Sequence, residues 1–194
     1  MIDLLAPEDD AATPLTREES QGLLLSYISL RSELNAAEQE NIAEASERAR
    51  RRKFVLDETY LNRLHGEMFG RVWDWAGRFR TTDKNLGVPH HRVATDFRQL
   101  LDDCRYHLEN KTYPPDELAA RFHHRLVFVH PYPNGNGRHA RLATDLLLES
   151  LDHKAFTWGS ASGIDGRTTR QRYVDALKAA DGHDYRPLFA FVRS

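Results

Sequence analysis

The sequence has a single cysteine, no long apolar run and no basic start. Cys104 has no second cysteine in the chain with which to form an internal disulfide, and this favours a reducing compartment. No apolar run approaches the roughly 18 residues that a membrane span needs. The N-terminus, MIDLLAPEDD, is acidic and lacks the basic start of a signal peptide. These absences predict a cytoplasmic protein without a membrane partner.

The chain also lacks an excess of charge of either sign. Its 27 lysine and arginine residues face 29 aspartate and glutamate residues, for a net charge of −2 over 194 residues. A domain that binds nucleic acid directly is usually strongly basic, so we predict no direct nucleic-acid contact. The length suits one domain, or one domain with an extension.

Helical periodicity dominates the chain after about residue 16. Thr16 and Glu19 have the spacing of a capping box, and Asp57 is a candidate cap for a later helix. A polar segment rich in Ala, Glu and Arg predicts a helix over about 32–51. Further helices are predicted over about 94–109, on both sides of residues 130–135, and in the last 30 or so residues.

One short region breaks the helical pattern. Residues 80–93 contain Gly87 and Pro89 and alternate poorly between apolar and polar positions, which predicts a loop or a small β-hairpin. The predicted fold class is therefore mainly α, with one small non-helical excursion.

The stretch HPYPNGNGRHAR, residues 130–141, joins two predicted helices through a bend. The N–H groups that begin the second helix have no intrahelical partner, and the helix dipole adds positive potential, so this position suits an anion. Gly135 and Gly137 allow a ligand to approach the backbone closely, and Asn136 offers an amide donor.

Two arginines and a histidine extend this predicted anion site. Arg138 and Arg141 are three residues apart on one helix, and two guanidinium groups suit a chain of phosphates. His130, on the other side of the bend, is a candidate base for a hydroxyl nucleophile. The stretch is neither a Walker loop, which needs GxxxxGK[ST], nor a dinucleotide fingerprint, because Gly-Asn-Gly here follows a helix. A base and a cationic cradle indicate phosphoryl-type transfer.

HPYPNGNGRHAR resembles the signature of Fic-domain proteins, His-x-Phe-x-(Asp/Glu)-Gly-Asn-(Gly/Lys)-Arg-x-x-Arg. Six of the eight specified positions match; Tyr132 replaces the Phe, and Asn134 replaces the acidic residue. The resemblance covers about residues 55–191, and the amino-acid sequence of the whole chain is most similar to a subgroup called mobile mystery protein B. It implies a Fic-type helical bundle with a small β-hairpin flap, in which residues 55–194 form the Fic domain and residues 1–54 form an N-terminal extension.

The resemblance implies transfer of AMP from ATP to a Ser, Thr or Tyr hydroxyl of a target protein. His130 would deprotonate that hydroxyl, and Gly137, in place of Lys, favours AMP transfer over phosphate transfer. The implied phosphate ligands are Gly135, Asn136 and Gly137 for the α- and β-phosphates, Arg138 for the leaving group and Arg141 for the γ-phosphate. The implied flap, which would dock the target by strand addition, contains Asn85, Leu86, Gly87 and Val88.

Asn134 departs from the resemblance at a chemically important position. The family's acidic residue there binds Mg²⁺, a hard ion that prefers carboxylate oxygen, and an asparagine carbonyl brings no charge. We therefore expect Mg²⁺ binding to be weakened. Three outcomes remain open: transfer with weaker metal dependence, a phosphate-containing donor other than ATP, or a nucleotide-binding regulatory module that no longer reacts.

The predicted helix at about 32–51 contains a partial match to the inhibitory motif of many Fic proteins, (Ser/Thr)-x-x-x-Glu-(Gly/Asn). Glu40 and Asn41 match its end, whereas Ala36 occupies the Ser/Thr position. The resemblance implies that Glu40 pairs with Arg141 and disturbs placement of the γ-phosphate. The alternative is a solvated glutamate on a polar helix, which is the usual meaning of such a residue.

Overall fold

Eight α-helices make up most of the described chain in a computed structural model, which describes residues 13–54, 56–163 and 165–194. Residues 1–12 of the predicted extension thus lie outside the described part. In chain order the helices are α1 (Arg17–Gln21), α2 (Arg31–Arg50), α3 (Glu58–Phe69), α4 (Val93–Glu109), α5 (Pro115–Val129), α6 (Asn136–Ser150), α7 (Gly166–Asp181) and α8 (Arg186–Val192). The predicted mainly α fold class is confirmed. No helix among the described residues is long and apolar enough to cross a membrane.

The predicted helix starts at Thr16 and Asp57 are confirmed. The Thr16 hydroxyl accepts from the N–H of Glu19 at 3.2 Å, and the Glu19 carboxylate accepts from the N–H of Thr16 at 2.7 Å. The Asp57 carboxylate accepts from the N–H of Tyr60 at 2.6 Å. A cap of this kind contributes about 1 kcal/mol, so each residue specifies where its helix begins.

Helix α2 is polar overall but buries a narrow stripe and packs against α3. The buried side chains follow one another at intervals of three or four residues, which places them on one face of the helix. They are Leu34, Glu38, Asn41, Ala45 and Ala49. The two polar members of this stripe, Glu38 and Asn41, lie on the face of α2 that covers the rest of the molecule.

Helices α5 and α6 pack against each other, and α3 and α4 pack beside them. Leu126 and Val129 of α5 and Leu146 and Leu147 of α6 belong to the same buried cluster. The bend between α5 and α6 spans residues 130–135 and holds the start of the sequence motif. Two well-packed helices therefore fix the position of His130 relative to the first turn of α6.

The predicted β-hairpin near residues 80–93 is not formed. The described residues contain no strand, and an isolated bridge pairs Leu23 with Trp73. The buried Arg80 side chain instead closes the loop by donating to backbone carbonyls: Nη1 to Thr82 at 2.8 Å, Nη2 to Val88, and Nε to His130 at 2.7 Å. A side chain thus makes the connections that cross-strand bonds would make in a hairpin.

Candidate active site

His130 lies at the C-terminal end of α5 in the left-handed conformation, with φ 54° and ψ 61°. This conformation is unfavourable for a residue with a Cβ atom, so the packing of the bend must maintain it. The imidazole is buried, and its Nε2 lies 2.8 Å from the hydroxyl oxygen of Thr13. Burial, and then the nearby charge of Arg80, lower the pKa of His130 to about 4. The imidazole is therefore neutral near pH 7, as a general base must be.

The bend after His130 is held by Asn136. Its Oδ1 accepts from the N–H of Tyr132 at 2.9 Å, and its Nδ2 donates to the carbonyl of the same residue at 2.8 Å. The ring of Tyr132 is fully buried and stacks on His65 with 3.7 Å between centroids. The Asn136 amide thus shapes the bend, and the group that this residue brings to the anion site is its backbone N–H.

Gly135 and Gly137 differ in why glycine occupies them. Gly135 has φ 79°, and a Cβ atom there would lie 2.5 Å from the ring of Phe69. A Cβ at Gly137 would meet its nearest neighbour, the Tyr173 hydroxyl, at 4.0 Å. The N–H groups of Asn136, Gly137 and Arg138 find no acceptor among the described residues. The backbone therefore requires glycine at 135, whereas Gly137 leaves open space beside free N–H donors.

The two arginines of the motif have different surroundings. Arg138 Nη1 lies 2.6 Å from a carboxylate oxygen of Glu38, and its guanidinium carbon lies 4.9 Å from the ring centroid of Phe69. The guanidinium of Arg141 lies over the ring of Tyr173, at 4.4 Å, and its Nε is buried with no hydrogen-bond partner in the described chain. A buried donor without an acceptor costs free energy, which an anionic ligand would recover.

The predicted ion pair between Glu40 and Arg141 is wrong. Glu40 is exposed, whereas Glu38 is buried and bonds to both Arg138 and Trp73 Nε1, the latter at 2.7 Å. Two residues along an α-helix correspond to a rotation of about 200°, so Glu38 and Glu40 lie on nearly opposite faces. Asn41, the other residue of the predicted motif, belongs to the buried stripe, and neither polar atom of its amide has a hydrogen-bond partner within the described residues.

The bend and its surrounding helices match a known family. Residues 55–148, which include α3, α4, α5 and most of α6, match the family model described as Fic/DOC family. Over these residues the chain is similar to the Fic/DOC family. The narrower resemblance to the subgroup called mobile mystery protein B stays a prediction.

Relatives and solved structures agree with this assignment. Over 121 residues the chain is 33% identical to protein adenylyltransferase fic-1 of Caenorhabditis elegans, an alignment that covers 60% of this chain and 22% of the relative. The chain thus spans about a quarter of the length of the curated relatives it matches.

Two solved structures share the fold. One is the BepC effector protein of Bartonella tribocorum with bound AMPPNP, with a TM-score of 0.70 at 17% identity, covering 92% of this chain and 97% of that one. The other is the N-terminal Fic domain of a putative cell filamentation protein of Bartonella quintana with bound ADP, with a TM-score of 0.69 at 18% identity, covering 90% and 94%. At these identities the likeness establishes a Fic-type helical fold.

Asn134, the residue that departs from the Fic signature, forms hydrogen bonds within and beside the bend. Its Oδ1 accepts from the N–H of Gly135 at 2.6 Å, and its Nδ2 donates to the carbonyl of Thr13 at 3.3 Å. The described residues contain no group of three His, Cys, Asp or Glu side chains that could hold a metal ion. An uncharged oxygen that already accepts a hydrogen bond fits a hard divalent cation poorly.

The predicted flap residues lie beside His130 in the loop that Arg80 closes. A Cβ atom on Gly87, which has φ 97°, would lie 2.5 Å from the Cβ of His130. Val88 is buried, and Leu86 is exposed. Asn85 is part of the same loop. The loop therefore borders His130, the candidate base, although it carries no strand.

Three residues near the bend were missed by the sequence analysis. Arg80 fixes the loop to the backbone of His130. His65 accepts from the N–H of Gly77 through Nδ1 at 2.9 Å, so its Nε2 carries the proton and donates to the carbonyl of Asn134 at 3.0 Å. Thr13 contacts Nε2 of His130 from 117 residues away in sequence. No local pattern marks such long-range contacts.

Proposed function

We propose that this protein is a Fic-type protein adenylyltransferase, which transfers AMP from ATP to a Ser, Thr or Tyr hydroxyl of a target protein. The contact that carries the proposal is a hydroxyl 2.8 Å from Nε2 of a neutral, buried His130. That distance lies within the roughly 2.6–3.2 Å over which a general base takes a proton.

The residues of the bend suit each part of this reaction. The hydroxyl proton moves to Nε2 of His130 while the oxygen attacks the α-phosphorus, and pyrophosphate leaves. The backbone N–H groups at the start of α6 bind the phosphates, helped by the helix dipole. Arg138 and Arg141 stabilise the charge of the leaving group, and Arg141 brings a buried donor that has no partner within the described chain.

The relatives and the solved structures support ATP as the donor. Fic-1 of C. elegans is named a protein adenylyltransferase, and the two Bartonella structures hold AMPPNP and ADP. The target, an unidentified protein, would dock against the loop that contains Asn85, Leu86, Gly87 and Val88. Exposed Leu86 is the apolar side chain that this loop offers to a partner.

Asn134 supports a second candidate function. Because its side chain fits Mg²⁺ poorly, no step of the proposed mechanism involves the metal, and the domain could bind nucleotide as a regulatory module with lost or altered catalysis. A transferase with another phosphate-containing donor is the third candidate. Mg²⁺ bound to ATP in solution would reach this site with little help from the protein.

We also propose that the N-terminal extension, 1–54, restrains the catalytic unit, 55–194. A carboxylate oxygen of Glu38, on α2, lies 2.6 Å from Nη1 of Arg138. The carboxylate therefore takes the position at which a phosphate would bind. The carboxylate is buried and also bonded to Trp73, which strengthens its hold. Autoinhibition would thus act through Glu38 and the first arginine, in place of the pair of Glu40 and Arg141.

The test of the proposed function is transfer of label from ATP marked at the α-phosphate. Wild-type protein should label a protein hydroxyl, and His130→Ala should lose this activity while still binding nucleotide. His91→Ala, which changes an exposed histidine outside the bend, serves as the control and should transfer normally. Equal transfer by His130→Ala would refute the role of the histidine. Nucleotide binding without transfer, even in Glu38→Gln, would support the regulatory module.

A further inference from the structure

The segment from Thr13 to Glu19 contacts the bend that contains His130. The hydroxyl oxygen of Thr13 lies 2.8 Å from Nε2 of His130, and the carbonyl of Thr13 accepts from the Asn134 side chain at 3.3 Å. Both backbone and side chain of Thr13 therefore contact residues of the bend.

The same segment is anchored on its far side by the loop that Arg80 closes. Lys84 Nζ donates to the carbonyl of Pro14 at 2.9 Å and forms an ion pair with the Glu19 carboxylate. The Lys84 side chain is 2% exposed and that of Glu19 is 11% exposed. Ion pairs buried to this degree are costly to break, unlike surface pairs. Thr82 also donates to Glu19, at 3.2 Å.

The hydroxyl groups of the segment have separate uses. The Thr16 hydroxyl caps α1 by accepting from the N–H of Glu19, and the Ser20 hydroxyl donates to the carbonyl of Thr16 at 2.7 Å. Thr13 lies before the helix, and its hydroxyl contacts the imidazole. Local structure thus accounts for Thr16 and Ser20, whereas the Thr13 hydroxyl lies within the roughly 2.6–3.2 Å over which a general base takes a proton.

We propose that Thr13 is a modification site: the protein transfers AMP to its own Thr13 hydroxyl, within one chain. This inference rests on the proposed function. A bond forms between Thr13 Oγ1 and the α-phosphorus of ATP, and the bond from that phosphorus to the oxygen bridging to the β-phosphorus breaks. The hydroxyl proton goes to Nε2 of His130, and pyrophosphate leaves with the electron pair.

Transfer to Thr13 would change the state of the site. The modified threonine has no hydroxyl proton to give, and the added AMP group is too large for the 2.8 Å space between Oγ1 and the imidazole. The segment must then leave His130, which opens the base to an external acceptor. The anchors at Lys84 and Glu19 would keep the displaced segment attached to the flap loop.

The experiment uses the full chain with ATP labelled at the α-phosphate, followed by peptide mapping of the modified residue. We expect label on Thr13 in the wild-type protein and more label in Glu38→Gln. Thr13→Val, which keeps the branched shape but lacks the hydroxyl, should lose this label, and Thr13→Ser should retain it. Ser20→Ala is the matched control, because it removes a neighbouring hydroxyl, and it should keep the label on Thr13.

The outcomes separate this inference from the proposed function. Label on a target protein, or on another residue of the chain, with none on Thr13 would overturn the inference and leave the proposed function standing. No transfer by wild type or by Glu38→Gln would overturn both.

A mixing experiment tests the intramolecular step. A tagged His130→Ala chain, incubated with untagged active protein, should stay unlabelled, and the rate per molecule should not depend on protein concentration. Label on Thr13 of the tagged inactive chain would show transfer between molecules and overturn the step within one chain.

Discussion

The bend at residues 130–136 and the N-terminal segment at residues 13–54 are held in place by different means. Within the bend, short hydrogen bonds connect neighbouring groups, as between Asn136 and the backbone of Tyr132 at 2.9 and 2.8 Å. The N-terminal segment contacts the bend through a few side chains distant in sequence, among them Thr13 on His130 and Glu38 on Arg138 at 2.6 Å.

This difference indicates that the residues of the bend build the candidate site, whereas the contacts of the N-terminal segment regulate it. The bend keeps its shape mainly through its own residues and through Arg80 and His65, which lie outside the N-terminal segment. The N-terminal contacts involve His130 and Arg138, the groups that the proposed reaction would use. A substitution that disturbs the backbone of the bend should therefore lower stability, whereas a substitution that removes an N-terminal contact should change activity.

Lowering the pH should produce the largest effect, which is a loss of folding stability. This loss should arise in residues 55–194 and not in the N-terminal segment. Burial lowers the pKa of His139 to about 4 and that of His123 to about 3, and it lowers the pKa of His65 well below its ordinary value. Unfolding restores values of about 6.5, so the unfolded chain binds more protons and stability falls as the pH drops below about 6.5. At about pH 5, His139 and His123 should each cost about 2 kcal/mol of stability, and His65 adds to the loss in the same direction.

Denaturant unfolding at about pH 7 and about pH 5 measures this loss. The His139→Gln variant, whose amide can still donate to the carbonyl of Leu61, should show a smaller difference between the two conditions. Residues 13–54 contain no histidine, so they contribute nothing to the loss of stability that histidine protonation causes. Equal stability at the two pH values would contradict neutral buried histidines.

Gly135→Ala should destabilise the bend by about 2 kcal/mol or more. The left-handed backbone costs a residue with a Cβ atom about 1–2 kcal/mol, and the clash with Phe69 adds overpacking strain. Gly137→Ala is the control for stability, because its Cβ has room and alanine favours a helix by up to about 1 kcal/mol. Thermal and denaturant unfolding of both variants measures the contrast, and equal losses would argue against the special role of Gly135.

Glu38→Gln should raise AMP transfer, by between about 5- and 150-fold if the contact has the strength of a typical regulatory coupling. Glutamine can still accept from Trp73 Nε1 but offers Arg138 no charge. Glu40→Gln makes the same change on the exposed face of the same helix and should have no effect. Initial rates of label transfer measure both. A higher transfer rate in Glu40→Gln, with no increase in Glu38→Gln, would instead support inhibition through Glu40.

Asn134→Asp should produce the smallest effect, which is a change in the Mg²⁺ concentration that transfer requires. The carboxylate supplies the charge that Mg²⁺ prefers, so the Mg²⁺ concentration needed for half-maximal transfer should fall. Asn134→Ala removes the amide without adding charge and should not lower that concentration. Titration of the transfer rate with Mg²⁺ gives the comparison, and identical curves for Asn134→Asp and wild type would exclude this position as a metal ligand.

Much of the fold could be predicted because its determinants are local. Thr16 and Asp57 mark helix starts through bonds to residues three positions away, and α2 and α4 fall within about one residue of the predicted bounds. The hairpin was predicted from Gly87 and Pro89, residues that indicate a turn without specifying a sheet. Arg80, which closes the loop, acts on carbonyls up to 50 positions away, and no periodicity shows this.

The site was predicted in part for the same reason. His130, Gly135, Arg138 and Arg141 lie within one dodecamer, so their proximity follows from chain connectivity. The face of α2 that covers the site could have been found from the spacing of Leu34, Glu38 and Ala45. That pattern places Glu38 on the packed face and Glu40 in solvent, whereas the partial match to the inhibitory motif includes Glu40 and not Glu38.

The sequence by itself determined the helices, the bend with its base and its arginines, and the loss of the acidic group at Asn134, because each depends on residues close together in the chain. Only the tertiary structure decided which groups meet that bend: Glu38 on Arg138, Arg80 on the backbone of His130 and the Thr13 hydroxyl on its imidazole. The separations in sequence are 100, 50 and 117 residues. Contacts at such distances depend on how whole helices pack, which no local pattern specifies.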